Sequence, residues 1–363
     1  MEAPPVAKRQ IPVIVLAGFL GSGKTTLLNH LLGRSGGTRI GAVVNDFGSI
    51  EIDAMSVAGQ VDSMVSLGNG CLCCAVDTSE LDGFLDKLSR PAARIDVIVI
   101  EASGLAEPQE LIRMILASDN KDIVYGGLVE VVDAAEFAAT RARHPELDRH
   151  VAIADLVVLN KADRIGDEAR RDLLAELAEL SPGTPVVPAS YGRVDPELLF
   201  DRKPREEDTA AVRQLSFEDL HAADEDDSHG HDCHDCHDGC DHSGHLHAAY
   251  ESIEFVSAEP VDPRRLMEFL DSRPEGLYRI KGFVYFGIAG HKHKFAVHAV
   301  GDFLRFYPSS WARAEERLTQ LVLIGRGVDA GALRAGLERC RVTPGEPLAE
   351  EHTMWGVLRY AQA

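Results

Sequence analysis

Residues 11–26 read IPVIVLAGFLGSGKTT: a short apolar run, then glycines, then the start of TTLLNHLLGR with leucines at helical spacing. Gly18-Phe19-Leu20-Gly21-Ser22-Gly23-Lys24-Thr25-Thr26 matches G-x-x-x-x-G-K-[ST]. A strand before that motif and a helix after it are the setting a P-loop requires. Gly18, Gly21, Ser22 and Gly23 let backbone N–H groups curl around phosphate oxygens at the positive end of the helix, and Thr26 is counted with this cradle. Lys24 is expected to reach the β- and γ-phosphates, and Thr25 to offer its hydroxyl to Mg²⁺.

Outward from this motif, β-rich runs (RIGAVVND, RIDVIVIEA, GLVEVVDA, ADLVVLNK, TPVVPAS) alternate with amphipathic stretches such as TSELDGFLDKLSR and DEARRDLLAELAEL. Strands apolar on both faces and separated by helices predict a doubly wound α/β P-loop domain over 11–201, after a flexible tail at 1–10. From 202 to 250 the apolar periodicity is lost and charge accumulates, which predicts a disordered acidic linker. Order returns with SIEFVS, a helix through DPRRLMEFLDS, the long strands LYRIKGFVYFG and KFAVHAVGDFLRFYP, a further strand LTQLVLIG and a closing helix DAGALRAGLERC. This predicts a second, smaller α+β C-terminal domain over 251–345, with a tail at 346–363.

A chain of 363 residues is long enough for two cores. Its formal net charge of −21 argues against a nucleic-acid partner. No apolar stretch approaches a membrane span, and MEAPPVAKRQ lacks the apolar core of a signal peptide, so a cytoplasmic protein without a membrane partner is expected.

Asn160-Lys161-Ala162-Asp163 follows the strand DLVVLN, where a P-loop fold needs a base reader, and resembles the guanine-recognition tetrad of GTPases. A carboxylate at Asp163 can accept from guanine N1–H and the exocyclic amine, a donor pair adenine lacks. Read alone, the tetrad also fits a polar loop capping the next helix. IDVIVIEASGLAEP places Glu101 at a strand end, across the phosphates from the P-loop, where it can hold Mg²⁺ or orient the attacking water. Ser103 and Glu107 read equally as helix caps. Asp46, leaving the second strand, is a further metal-facing acid or a simple turn acid.

Residues 68–81, GNGCLCCAVDTSEL, put Cys71, Cys73 and Cys74 within four positions. In a reducing compartment such a cluster is a metal or redox site more often than a disulfide. One buried apolar cysteine would be ordinary, but three behind a glycine turn are not. Thiolates favour zinc, cobalt(II) or copper(I) over the oxygen-seeking cations. His291, His293 and His298 read as exposed polar positions, and Cys340, on an amphipathic helix, as core.

GFLGSGKTT, NDFG, GNGCLCC, EASGLAEP and NKAD, in this order, resemble the CobW-type metallochaperone GTPases, relatives of UreG and HypB. RIKGFVYF resembles that family's C-terminal domain. The resemblance implies GTP and Mg²⁺ as cofactors, and Zn²⁺ or Co²⁺ held beside the nucleotide by Cys71, Cys73 and Cys74. It also implies a client metalloenzyme as partner. Many members read N-E-F-G-E where this chain has Asn45-Asp46-Phe47-Gly48-Ser49, so a serine replaces the second acid. Within the linker stand His229, His231, Cys233, His234, Cys236, His237, Cys240, His242, His245 and His247. Imidazole and thiolate at this density bind divalent metals, either as a collecting arm for the C-x-C-C motif or as an incidental property of a solvated spacer. The expected function is a GTP-dependent metallochaperone. Its rivals are a zinc or cobalt store with a regulatory nucleotide site, and a small-molecule kinase, which has no use for the NKAD tetrad or the cysteines.

Overall fold

The computed structural model describes residues 10–45, 63–67, 78–200, 250–288, 293–311, 315–343, 346 and 351–361. Asp46, the three clustered cysteines, His291 and the linker histidines and cysteines lie outside the described residues. β1 (Ile11–Ala17) leads through the glycine loop to α1 (Lys24–Gly33), then β2 (Ile40–Asn45) and β3 (Ser63–Leu67). After α2 (Thr78–Ser89) come β4 (Val97–Glu101), α3 (Pro108–Ala117) and β5 (Ile123–Asp133). Short helices α4 (Phe137–Arg143) and α5 (Leu147–Ala152) lead to β6 (Leu156–Asn160), α6 (Asp167–Leu180), β7 (Val186–Pro188) and α7 (Pro196–Leu199).

The seven strands lie in the order β3-β2-β4-β1-β5-β6-β7, with every neighbouring pair parallel. Successive residues of β1 point to opposite faces. Val13 and Val15 pack with Leu81, Leu85, Leu111 and Leu177, whereas Ile14 and Leu16 pack with Leu27, Leu28 and Leu31. Burial on both faces explains why these strands read as unbroken apolar runs. β1 lies between β4 and β5, where the chain passes from one half of the sheet to the other. Sheets of this kind bind ligands in the crevice at the carboxyl ends of the strands there. β3 is absent from the sequence reading: SMVSL is short and carries two serines, and it is a strand because β2 offers a parallel edge.

The second domain comprises β8 (Glu251–Ser257), α8 (Pro263–Asp271), β9 (Leu277–Val284), β10 (His293–Val300), β11 (Phe303–Ser310), β12 (Thr319–Gly325) and α9 (Ala330–Arg339). Its antiparallel sheet runs β11-β10-β9-β12-β8. α8 opens with Pro263, and its cap Asp262 accepts from Arg264 N and Arg265 N at 2.9 and 3.0 Å.

Three expectations are corrected here. KFAVHAVGDFLRFYP is not one long strand but the β10–β11 hairpin, turned at Gly301-Asp302 with Gly301 at φ 51°. Residues 351–361 are not a free tail: a turn at Glu351–Met354 and α10 (Trp355–Leu358) bury Met354 and Val357 in the C-terminal core, and Phe306 N donates to Tyr360 O at 2.9 Å. His298 is not an exposed position; its Nε2 stands 2.9 Å from Tyr125 O, across the junction with the first domain. At that junction Tyr278, Val300 and Ile324 share a core with Val129, Leu198 and Phe200.

Candidate nucleotide and metal site

Beyond Ala17 the chain turns through Gly18, Gly21 and Gly23, with φ of 140, 75 and 102°. A Cβ at Gly18 would stand 2.3 Å from Val131 O, and one at Gly23 would stand 2.2 Å from Asn160 Nδ2, so side chains are excluded at both. The tight loop sets the start of α1 at the carboxyl edge of the sheet. Gly23, Lys24, Thr25 and Thr26 there line a cleft of about 680 Å³, a volume typical of small-molecule sites. Lys24 is buried, and its Nζ donates to Gly18 O at 2.9 Å and Phe19 O at 3.3 Å, so the ammonium lies across the loop that is expected to hold phosphates.

The Thr25 hydroxyl donates to Glu101 Oε1 at 2.6 Å. The sheet makes this meeting: Glu101 ends β4 in register with Leu16 of β1. Both are oxygen donors of the kind Mg²⁺ selects, and Mg²⁺ keeps its other positions for phosphate and water, so the residues present fit the ion. Ser103 Oγ accepts from Leu105 N at 3.4 Å, a local turn contact. Glu107 stands at the cap position of α3 without a side-chain cap bond and pairs with His150 Nε2 at 3.3 Å.

The NKAD residues divide their tasks. Asn160, 1% exposed, donates from Nδ2 to Ser22 O at 2.9 Å and accepts at Oδ1 from Gly192 N at 2.9 Å. Lys161, at φ 58°, donates to Gly21 O at 2.7 Å and to Asp133 Oδ2 at 2.6 Å. These two tie the P-loop to β6 and β7. Asp163 lies exposed on the cleft wall in the turn Ala162–Arg164. Sequence reasoning missed Tyr191, which lines the same cleft and is 69% exposed. Its signal was Ser190-Tyr191-Gly192 directly after a parallel strand, the place where such sheets put ligand loops.

The clustered cysteines and Asp46 are outside the described residues, and among the described residues no three His, Cys, Asp or Glu side chains gather as a metal site. What the structure gives is where the flanking chain departs. β2 and β3 end in register, Asn45 beside Leu67, at the same sheet edge as Gly18 and Glu101. β3 is three strands from β1, a separation of about 14 Å. Cys340 is core, as expected: its thiol donates to Gly336 O at 3.3 Å, and burial pushes it up to about 11.

Residues 12–188 match the family described as CobW/HypB/UreG, nucleotide-binding domain, and residues 250–341 match the Cobalamin synthesis protein cobW C-terminal domain. The chain is 30% identical over 364 residues to "Zinc chaperone CobW" of Sinorhizobium sp, covering 90% of this chain and 96% of that one. It is 33% identical over 365 residues to the "Zinc chaperone CobW" of Pseudomonas aeruginosa, covering 89% and 90%. With "Zinc chaperone YjiA" of Escherichia coli it shares 31% identity over 196 residues, covering 53% and 61%.

Proposed function

This chain belongs to the CobW/HypB/UreG nucleotide-binding family, and from that premise we propose that it hydrolyses GTP and couples hydrolysis to delivery of a transition metal to a client metalloenzyme. The observation that carries the hydrolytic half is the Thr25 hydroxyl 2.6 Å from Glu101 Oε1 at the mouth of a P-loop cleft. Thr25 and Glu101 would hold Mg²⁺, which would supply charge neutralisation to the phosphates. Lys24 exchanges the carbonyls of Gly18 and Phe19 for β- and γ-phosphate oxygens, and Glu101 orients the attacking water. Asp163 selects guanine.

The cargo is zinc or cobalt, on Cys71, Cys73 and Cys74. Thiolate chemistry supports this, and so do relatives named as zinc chaperones. The paired ends of β2 and β3 support coupling, because the segments leading to Asp46 and to the cysteines start from the edge that holds the phosphates. The histidine-rich linker collects metal for this site. The protein works in the cytoplasm; among the described residues no helix is long and apolar enough to cross a membrane.

The test is anaerobic Zn²⁺ and Co²⁺ competition with Mg²⁺-GTP, with GDP and without nucleotide, for wild type and Cys73→Ser. Metal binding tightened by Mg²⁺-GTP, by about tenfold or more, and abolished in the variant supports a carrier emptied by hydrolysis. Equal affinities in all three states would make the protein a metal store.

A further inference from the structure

Among the described residues one aromatic ring lines the nucleotide cleft, that of Tyr191 in the loop after β7. The ring belongs to neither core: it stands 69% exposed, on a wall that also carries Asp163. Its backbone is unusual too. Arg94, Lys161 and Tyr191 are the three non-glycine residues at positive φ among the described residues, and the last two line this cleft. Tyr191 has φ 56°, a left-handed conformation that bulky side chains rarely adopt and that gathers at ligand clamps. Glycine takes such a φ at no steric cost, so the strained turn is kept for what the ring does.

We propose that Tyr191 is the platform on which the base of GTP stacks, so that Asp163 reads the edge of the guanine while the phenol ring covers its face. This rests on the nucleotide reading above. The surrounding chain holds the ring in place. Gly192 N donates to Asn160 Oδ1 at 2.9 Å, and a Cβ at Gly192 would stand 2.7 Å from Leu27 N, so the residue after Tyr191 is pressed against α1. Arg193 N donates to Ser190 O at 3.1 Å and closes the turn, and the Arg193 guanidinium lies 5.9 Å from the ring centroid. Ala162 N donates to Ala189 O at 3.0 Å, which ties the turn carrying Asp163 to the loop carrying Tyr191. A purine stacked on a ring already fixed in this way buries two apolar faces and orders little besides itself. Every base has such a face, so stacking adds affinity without choosing among bases, and the choice is left to Asp163.

The test compares Mg²⁺-GTP with Mg²⁺-tripolyphosphate, which has the phosphates and no base, by calorimetry on the full chain. Tyr191→Ala should weaken GTP by about tenfold or more and leave tripolyphosphate within about twofold, and Tyr191→Phe should restore GTP to within about threefold of wild type. A Tyr191→Ala protein that loses both ligands alike would show that the residue only shapes its loop. Tyr191→Phe as weak as Tyr191→Ala would put the effect on the hydroxyl rather than the ring. Either result overturns the proposal. Tyr191→Trp supplies a second readout: GTP should quench the indole emission and tripolyphosphate should not, against a wild type whose two tryptophans, Trp311 and Trp355, stand in the second domain. If Tyr191→Ala does not fold, this signal decides, because emission unmoved by bound GTP overturns stacking as well. The two readings fail differently. A wild type that binds GTP no tighter than tripolyphosphate removes base recognition altogether, whereas a wild type that prefers GTP, with Tyr191→Ala unchanged, overturns the stacking alone.

Discussion

Asn160 and Asp163 stand three positions apart in one motif, yet Asn160 is buried and Asp163 is exposed. Asn160 is spent on Ser22 O and Gly192 N, so its amide holds the P-loop against the loop after β7. Asp163 is exposed on the cleft wall, and in the function proposed above it meets the base. Asp163→Asn should therefore keep the fold and invert base preference. GTP should bind about tenfold or more weaker, because two hydrogen bonds to a carboxylate are lost, and xanthosine triphosphate, with an oxygen at position 2, should bind better. Asn160→Ala should instead weaken every nucleotide alike and cost about 1–3 kcal/mol of stability, since it orphans a buried carbonyl and a buried N–H. Competition among GTP, xanthosine triphosphate and ATP separates the two. Equal wild-type affinity for ATP and GTP would remove Asp163 from base recognition.

Among the elements, the strand–glycine–helix unit from β1 to α1 was legible because every local signal agrees: a run apolar on both faces, glycines at positions that exclude a Cβ, then leucines at helical spacing. β3 was not legible, because a short serine-containing strand is made by its neighbour rather than by its own pattern. The β10–β11 hairpin was hidden by apolar alternation on both sides of Gly301-Asp302, although that dipeptide is itself a turn signal. Residues 351–361 were read as part of a tail, because the stretch that packs on the core through Met354, Val357, Tyr360 and Ala361 is too short to show a period. In the candidate site, Lys24, Thr25, Glu101 and Asp163 were singled out by motif chemistry and line one cleft, whereas the contacts of Asn160 with Ser22 and Gly192 join segments distant in sequence. The linker's composition yields a further prediction. Tyr250 OH lies 3.3 Å from Asp195 Oδ2, so the two domains meet close to where the segment ends. Deleting residues 224–247 should leave thermal stability and GTP turnover within about twofold of wild type, while total zinc capacity falls and one tight site persists. Loss of the tight site, read by zinc titration against a chelator, would show that the arm holds the cargo itself.

At the scale of the whole molecule, the two domains are fastened by a polar seam within a shared apolar core. Arg279 Nη1 donates to Leu199 O at 3.1 Å and His298 Nε2 stands 2.9 Å from Tyr125 O, while within the first domain Tyr125 OH donates to Asp155 Oδ2 at 2.6 Å. Arg273 Nη1 bonds Gly301 O, and a Cβ at Gly301 would collide with Asp155 Oδ1 at 1.7 Å, so the hairpin turn is pressed against the first domain. Burial, with Arg279 nearby, pushes His298 down to about 4. The unfolded chain takes up a proton here near the ordinary value of 6.5, but the folded chain does so only near 4. The stability His298 contributes is therefore complete above about pH 6.5 and is lost as pH falls toward 4, by roughly 2–3 kcal/mol. Asp155 works in the opposite sense, because burial pushes its carboxyl up to about 6 and the folded state holds that proton more tightly. The two effects offset each other in wild type, which should show a shallow acid limb. His298→Gln keeps a donor for Tyr125 O and has nothing to titrate. Urea unfolding of both proteins between about pH 4.5 and 7.5 should give a constant difference at the top of the range, then a growing advantage for the variant below about pH 6.5. A difference that stays constant throughout would mean that His298 does not change protonation on unfolding, and the seam would then owe its pH dependence to Asp155.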